Sequence, residues 1–415
     1  MKPAYEYRDG RLFCEEVPLA EIASKVGTPC YVYSAASILG KFETYREAFG
    51  ETPHRICYAV KANFNLSVLS LLARAGAGFD IVSGGELYRV LRAGGDPATV
   101  VFSGVGKTAE EIDYALAAGI HSFNCESEAE LALVDALAAR RKQTARVAVR
   151  VNPDVDPATH PYIATGLKEH KFGIDMSEAE GVYERAAALA HIRLEGLSCH
   201  IGSQLLDTDP LVEAVDRMLE LAARLRARGV ALAHIDFGGG LGIPYRPGER
   251  APDVRAFIAL LRERVAGTGL EVIIEPGRSI VGEAGVLLTR VLYRKRTGRK
   301  EFVIVDASMS DLIRPALYQS HHEIIPLRRL PSLGTVVADV VGPVCETGDF
   351  LARDREIANV MPGDLLAVCS AGAYGFVLAS NYNARPRPAE VLVEGERWRV
   401  VRARESYEDL IRGEV

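Results

Sequence analysis

A parallel (β/α)8 barrel followed by a β-rich domain is the fold that the sequence predicts, on three observations. Strand-like runs end near Lys61, Val82, Ser103, Asn124, Val151, His200, Phe237 and Glu275, which makes eight. A stretch of helical period follows each, as with Ile112, Leu116 and Gly119 or Val212, Val215 and Leu219. Four joints carry the capping spacing S/T-x-x-E: Ser83 with Glu86, Thr108 with Glu111, Ser127 with Glu130 and Ser177 with Glu180. There a hydroxyl satisfies an orphan helix amide while the glutamate reaches back to the cap. Beyond about residue 280 the helical rhythm stops. Short β-rich runs follow at 286–295, 302–306, 335–341, 365–369, 391–393 and 398–401, separated by turn signals such as Thr297-Gly298 and Pro362-Gly363-Asp364.

Taken in order, residues 1–32 hold short apolar pieces broken at Asp9-Gly10 and Gly27-Thr28-Pro29, and read as an arm that docks elsewhere. The strand–helix rhythm begins at Tyr33, so 33–280 is the expected barrel and 281–415 the expected β domain. Eight βα units in series close into a barrel. An open doubly wound sheet is the competing arrangement. The 415 residues accommodate a barrel of ~250 residues plus a second domain.

Composition narrows the function classes. Hydrophobic residues are 48% and charged residues 25%, near the globular average. The net charge of −6 offers no basic footprint for nucleic acid. No apolar run approaches a membrane span, and the first ten residues hold no signal-peptide core. Seven scattered cysteines (Cys14, Cys30, Cys57, Cys125, Cys199, Cys345 and Cys369) contain no C-x-x-C. That pattern argues for thiols in a reducing cytoplasm, against a disulfide framework and against a zinc ribbon; no metal site is expected.

The chemistry-bearing residues fall at strand carboxyl ends, the face on which a barrel carries its active site. In Ile56-Cys-Tyr-Ala-Val-Lys61-Ala-Asn63, a β-branched and apolar run stops on a lysine. A lysine in a low-dielectric pocket loses its proton easily and becomes the amine a Schiff base requires; the plainer alternative is a strand-end lysine that snorkels to water. The stretch 152–171 is long enough to be functional and carries His160, Lys168, His170 and Lys171, most of which read as a solvated charge cluster. His200, with Ser203 three residues on, stands at the rim after strand six. Gly238-Gly239-Gly240 after strand seven lets backbone amides converge on an anion, although glycine runs also occur in plain turns. Strand eight ends on Glu275-Pro276-Gly277-Arg278, a carboxylate beside another small turn. In the β domain, Cys345-Glu346 in a Gly-Pro turn and Arg314-Pro-Ala-Leu-Tyr318 are not what stability alone asks for.

The segments YAVKANFN, DIVSGGEL, HIGSQ, DFGGGLGIPY, EPGRS, DLIRPALY, GPVCETGD and SNYNARPRPAEVLV occur in an order that resembles the fold-type III decarboxylases dependent on pyridoxal phosphate (PLP). They span about residues 30 to 393. The resemblance implies an alanine racemase-like architecture, in which the arm and the C-terminal third build a β-sandwich beside the barrel. It implies that Lys61 carries PLP as a Schiff base, that His200 stacks on its ring and that Glu275 faces the pyridine nitrogen. An arginine at that position would instead favour racemisation. Ser203, Gly238, Gly239, Gly240, Gly277 and Arg278 would hold the phosphate or the substrate end near it, and Tyr374 would lie against the cofactor. Arg278, Arg314 and Tyr318, together with Glu346 and Tyr374, would bind substrate. Cys345 and Glu346 would come from the partner subunit of a homodimer, with Cys345 a candidate acid for reprotonation.

The activity implied is removal of carbon dioxide from meso-2,6-diaminopimelate to give L-lysine, the last step of lysine biosynthesis. Ornithine, arginine or carboxynorspermidine decarboxylation is the alternative within this chemistry, and a non-catalytic PLP-binding homologue the alternative outside it. Ornithine and arginine end in a cation and would ask for an acidic residue where DLIRPALY supplies Arg314, whose planar fork suits a carboxylate. Ser308, Ser310 and Thr347 depart from the family pattern, which bears on fine specificity.

Overall fold

The computed structural model describes residues 3–156, 171–329 and 334–415. The chain forms two compact units, Lys41–Ile243 with Arg250–Gly277, and Met1–Gly40 with Pro244–Glu249 and Arg278–Val415.

The first unit holds the barrel strands β1 (His54–Ala59), β2 (Gly78–Ile81), β3 (Val100–Phe102), β4 (Ser122–Cys125), β5 (Ala145–Asn152), β6 (Ile192–Ser198), β7 (His234–Asp236) and β8 (Glu271–Ile274). Each pairs in parallel with its neighbour in chain order. Strand β8 pairs with β1 through Val272, Ile273 and Ile274, which closes the sheet and removes the open alternative. Every residue of β2, β3 and β4 is buried, because helices cover the outside of a barrel and side chains fill the inside.

Three of the four expected caps form. Ser83, Thr108 and Ser127 accept from the amides of Glu86, Glu111 and Glu130 and start the helices Gly84–Arg92, Ala109–Ala118 and Glu128–Arg140. Of these, Thr108 with Glu111 completes the reciprocal box, whereas Glu86 and Glu130 reach one residue further back, to the amides of Val82 and Glu126. The fourth expectation is corrected. The helix Ala179–Ala186 starts at Glu178, Ser177 is taken up by Asp175, and Glu180 pairs with Arg224 and Arg228.

The second unit is built on the strand Gly285–Thr297. Along one part it pairs antiparallel with Cys30–Ser34 and Leu365–Val368, and along the rest with Lys300–Val305. Ala389–Glu394 extends the sheet in parallel beyond Cys30–Ser34. The arm and the C-terminal third therefore share one sheet and one core, in which Leu12, Ile22, Val32, Val286 and Val391 are buried together. Cys30–Ser34 is not the opening of the barrel rhythm, since all five of its residues are buried in this second sheet. Among the described residues beyond 280, two strands escaped the sequence reading. Phe350–Ala358 carries charge on its exposed positions and pairs with Thr335–Val341, and Ile324–Pro326 is too short to show a pattern. Among the described residues no helix is long and apolar enough to cross a membrane.

Candidate active site

At the barrel's carboxyl rim, Lys61 sits in a single 3-10 turn, Val60–Ala62, directly after β1. Its Nζ is paired with Asp80 of β2, whose side chain is fully buried while that of Lys61 is 36% exposed. The second oxygen of Asp80, Oδ1, has no hydrogen-bond partner among the described residues. Asp236, the last residue of β7, and Glu275, immediately after β8, are both buried. Asn124 ties them together, donating from Nδ2 to Asp236 Oδ2 at 3.0 Å and to Glu275 Oε1 at 3.4 Å, while Ser103 donates to Glu275 at 3.3 Å. Burial, reinforced by the charges of Asp236 and Asp80, raises Glu275 well above the usual carboxylate range, and burial pushes Asp236 up to about 6. Carboxylates this close do not both ionise in a low-dielectric site unless a cation joins them.

The glycine run lies against this group. A Cβ on Gly239 would come within 2.3 Å of the Glu275 carbonyl oxygen. Gly238, at φ +66°, would place one 2.7 Å from both the Cys199 carbonyl oxygen and His200 Nδ1. Only a bare backbone fits here, and the Gly238 amide donates to Asp236 Oδ1 at 2.8 Å. The Gly239 amide donates to His200 Nδ1 at 3.3 Å, which leaves the proton of the neutral ring on Nε2. Loss of water around the ring, then the charges of Arg150 and Lys61, lower the His200 pKa well below its ordinary value. Arg150 of β5 is held by Glu126 at 2.8 Å and touches the His200 carbonyl oxygen. Lys61, Asn124, Arg150, His200 and Glu275 line a cavity of about 190 Å³.

The second unit gathers a different set. Arg278 and Arg314 are each 5% exposed. Arg278 donates to Tyr245 Oη at 2.6 Å and lies 4.8 Å from the Tyr374 ring centre. Tyr374 adopts φ +55°, a left-handed conformation that an aromatic residue rarely takes and that marks a constrained loop. Arg314 lies 5.0 Å from the Tyr245 ring and 5.8 Å from that of Tyr318. Its hydrogen bonds go to neutral partners, His322 and Ser320.

The expected residues thus collect in two places: Lys61, His200, Glu275 and Gly238–Gly240 in the barrel unit, with Ser203 on the loop that carries His200; and Arg278, Arg314, Tyr318 and Tyr374 in the other. Gly277 closes the barrel unit, packed within 3.0 Å of Ala59 Cβ and Ala62 Cβ had it a Cβ of its own. Cys345 is exposed; its amide donates to Asn383, and Glu346 accepts from Tyr382, so neither bonds to the arginine cluster. Ser308 and Ser310 are buried and bonded to each other at 2.6 Å, and Ser308 also donates to Asp311, which makes them parts of a turn. His160, Lys168 and His170 lie outside the described residues. Sequence reading missed Asp80, Asn124, Asp236, Arg150, Tyr245 and His322 as site residues. Asp80, Asp236 and Tyr245 stand inside the segments DIVSGGEL and DFGGGLGIPY, the two aspartates legible as strand-end carboxylates; Asn124, legible only as a strand end, and Arg150 carry no chemical signal of their own.

A buried set of carboxylates beside a lysine and a run of glycines fits a carbonyl cofactor that carries a cationic ring. Residues 35–282 match the family model of the pyridoxal-dependent decarboxylases, pyridoxal binding domain. The chain belongs to this PLP-dependent family. It is 55% identical over 410 residues to the diaminopimelate decarboxylase of Pseudomonas aeruginosa, covering 99% of this chain and 98% of that one. It is similar to the crystal structure of diaminopimelate decarboxylase from Helicobacter pylori complexed with L-lysine, with TM-score 0.91, 44% identity and coverage of 95% and 98%. It is likewise similar to the M. jannaschii diaminopimelate decarboxylase in co-complex with L-lysine, with TM-score 0.94, 38% identity and coverage of 99% and 98%.

Proposed function

We propose that this chain decarboxylates meso-2,6-diaminopimelate to L-lysine and carbon dioxide, as a cytoplasmic homodimer at the last step of lysine biosynthesis. The observation that carries the substrate choice is Arg314, a buried guanidinium that among the described residues is hydrogen-bonded only to neutral groups. A buried cation in that state favours an incoming carboxylate, and disfavours the cationic end of ornithine or arginine.

PLP supplies an electron sink for the electron pair left behind when carbon dioxide departs. In this reading Lys61 would hold the cofactor covalently, His200 would pack against its ring, and Glu275 would stabilise a proton on it. The backbone of Gly238, Gly239, Gly240 and Gly277, with Ser203, would form its phosphate site, and Tyr374 would contact it. Arg278, Arg314 and Tyr318 would bind the far carboxylate of the substrate, and Glu346 of the partner subunit would contact the substrate as well. Cys345 of the partner subunit delivers from Sγ the proton that replaces carbon dioxide, the step for which an accessible thiol is needed.

Turnover of the PLP-loaded protein on a panel of meso-diaminopimelate, ornithine, arginine and carboxynorspermidine tests this. Lysine and carbon dioxide should appear one to one from diaminopimelate alone. Faster turnover of a monocarboxylic substrate contradicts the substrate choice, and PLP binding without any turnover contradicts the enzyme.

A further inference from the structure

The arginine cluster contains a fully buried histidine that the chemistry above does not use. His322 Nδ1 lies 2.8 Å from the Cys369 carbonyl oxygen, which can only accept, so Nδ1 carries the ring proton. Nε2 is then a lone-pair acceptor, and Arg314 Nε donates to it at 3.3 Å. The ring also meets Tyr245 edge-on, at 5.1 Å and 74°, and Tyr245 lies beneath both guanidiniums. Arg314 Nη2 donates to Ser320 Oγ at 3.2 Å, and among the described residues Nη1 has no protein partner.

We propose that His322 is a positioning residue for Arg314, its unprotonated Nε2 fixing the guanidinium fork in the orientation that receives the far carboxylate of the substrate. This rests on the reading that Arg314 takes that carboxylate. A guanidinium is planar, so holding its Nε edge aims its remaining N–H groups. A neutral acceptor achieves this without quenching the charge, whereas a carboxylate there would pair with Arg314 and compete with the substrate. Protonation of His322 would withdraw the acceptor and set a second cation beside Arg314. Burial, and then the charge of Arg314, hold its pKa down to about 3, so the acceptor persists across the neutral range.

The test uses full-length, PLP-loaded protein carrying His322→Asn, His322→Gln, Arg314→Lys, or Asn and Lys together. Asparagine keeps a donor for the Cys369 carbonyl but withdraws the acceptor from Arg314, and glutamine reaches far enough to restore one. His322→Asn should raise KM for diaminopimelate at least about tenfold, the size expected for a lost hydrogen bond to a charged group, with little loss in kcat. His322→Gln should recover most of that loss, and in the Arg314→Lys background asparagine should add less than about twofold. A full asparagine penalty in that background overturns the positioning role while leaving the carboxylate reading intact. An unchanged KM in Arg314→Lys overturns the carboxylate reading, and the positioning role with it. Equal losses for asparagine and glutamine reduce His322 to packing. Should the asparagine variant not fold, neutron diffraction of the wild type decides: deuterium on Nδ1 alone is expected, and deuterium on Nε2 contradicts the proposal.

Discussion

The barrel rim sets Asp80, Asp236 and Glu275, all buried, around Lys61, whereas the second unit buries Arg278 and Arg314 against tyrosine rings. In the first set burial drives the pKa values of Asp236 and Glu275 up, and these two carboxylates both ionise only when a cation arrives. In the second, burial pulls the Arg314 pKa down, and only an anion relieves the cost of keeping its charge. The two sets are preorganised for opposite charges. One suits the protonated ring of the cofactor; the other suits a carboxylate. That contrast makes separable predictions, because a cation held through the reaction and a carboxylate held for binding act on different kinetic parameters.

The largest effect should come from Lys61→Ala, which would remove the proposed covalent hold on PLP and should take turnover below detection without unfolding the chain. Borohydride reduction of the wild type should label Lys61, and near-normal turnover of a PLP-bearing variant would remove the lysine from the chemistry. Next, Glu275→Gln keeps the shape of the rim but not its charge. It should lower kcat on the order of 10²-fold, the size seen when one preorganised electrostatic group is lost, with KM little changed. Arg314→Lys keeps charge but loses the fork, and should raise KM roughly 30-fold, about 2 kcal/mol of binding. An unchanged KM would move the carboxylate site elsewhere.

Cys345, whose amide donates to Asn383, is proposed to serve the partner's site. If it does, mixing inactive Lys61→Ala chains with Cys345→Ala chains puts both lesions in one site of a heterodimer and none in the other. Activity should return to roughly a quarter of wild type once subunits exchange. Proven exchange without recovery argues that both residues come from one chain.

The smallest effect lies inside the barrel, where His121 and His234 face each other at 5.4 Å. Burial, for His121 with help from Arg55 and Arg146, lowers their pKa values to about 3 and about 4. Below the ordinary value of about 6.5 the unfolded chain binds protons that the folded one refuses. The contribution of these two histidines to stability therefore falls as pH drops from about 6.5 toward 4. His121→Gln should lose less melting temperature than wild type between pH 8 and pH 5, by on the order of 2–4 °C. Parallel curves would show that His121 is not a source of the acid slope.

The barrel was open to sequence reading because each strand end carries its own punctuation: Lys61, His200, Gly238 and Glu275 interrupt apolar runs at the positions where the chain leaves the sheet. What sequence could not supply was convergence. Asn124 and Asp236 stand 112 residues apart yet share a 3.0 Å hydrogen bond, because closure of β8 on β1 brings all eight carboxyl ends to one rim. Tyr245 reads as part of a glycine-rich turn, and only folding sets its ring beneath two guanidiniums. The Ser177 cap failed for a local reason, since Asp175 accepts from both the amide and the hydroxyl of Ser177. Phe350–Ala358 was passed over because Arg353 and Asp354 break its alternation on an exposed face.

The account turns on the separation of the two sets, and steady-state kinetics of the double variant Glu275→Gln/Arg314→Lys on diaminopimelate test it most directly. If the rim acts on the charge that develops during reaction and the arginine cluster only on substrate binding, the double variant should show the kcat of the first single variant and the KM of the second. A double variant whose kcat or KM departs from those single-variant values by about tenfold would mean that the two sets act as one, and would contradict the division of labour.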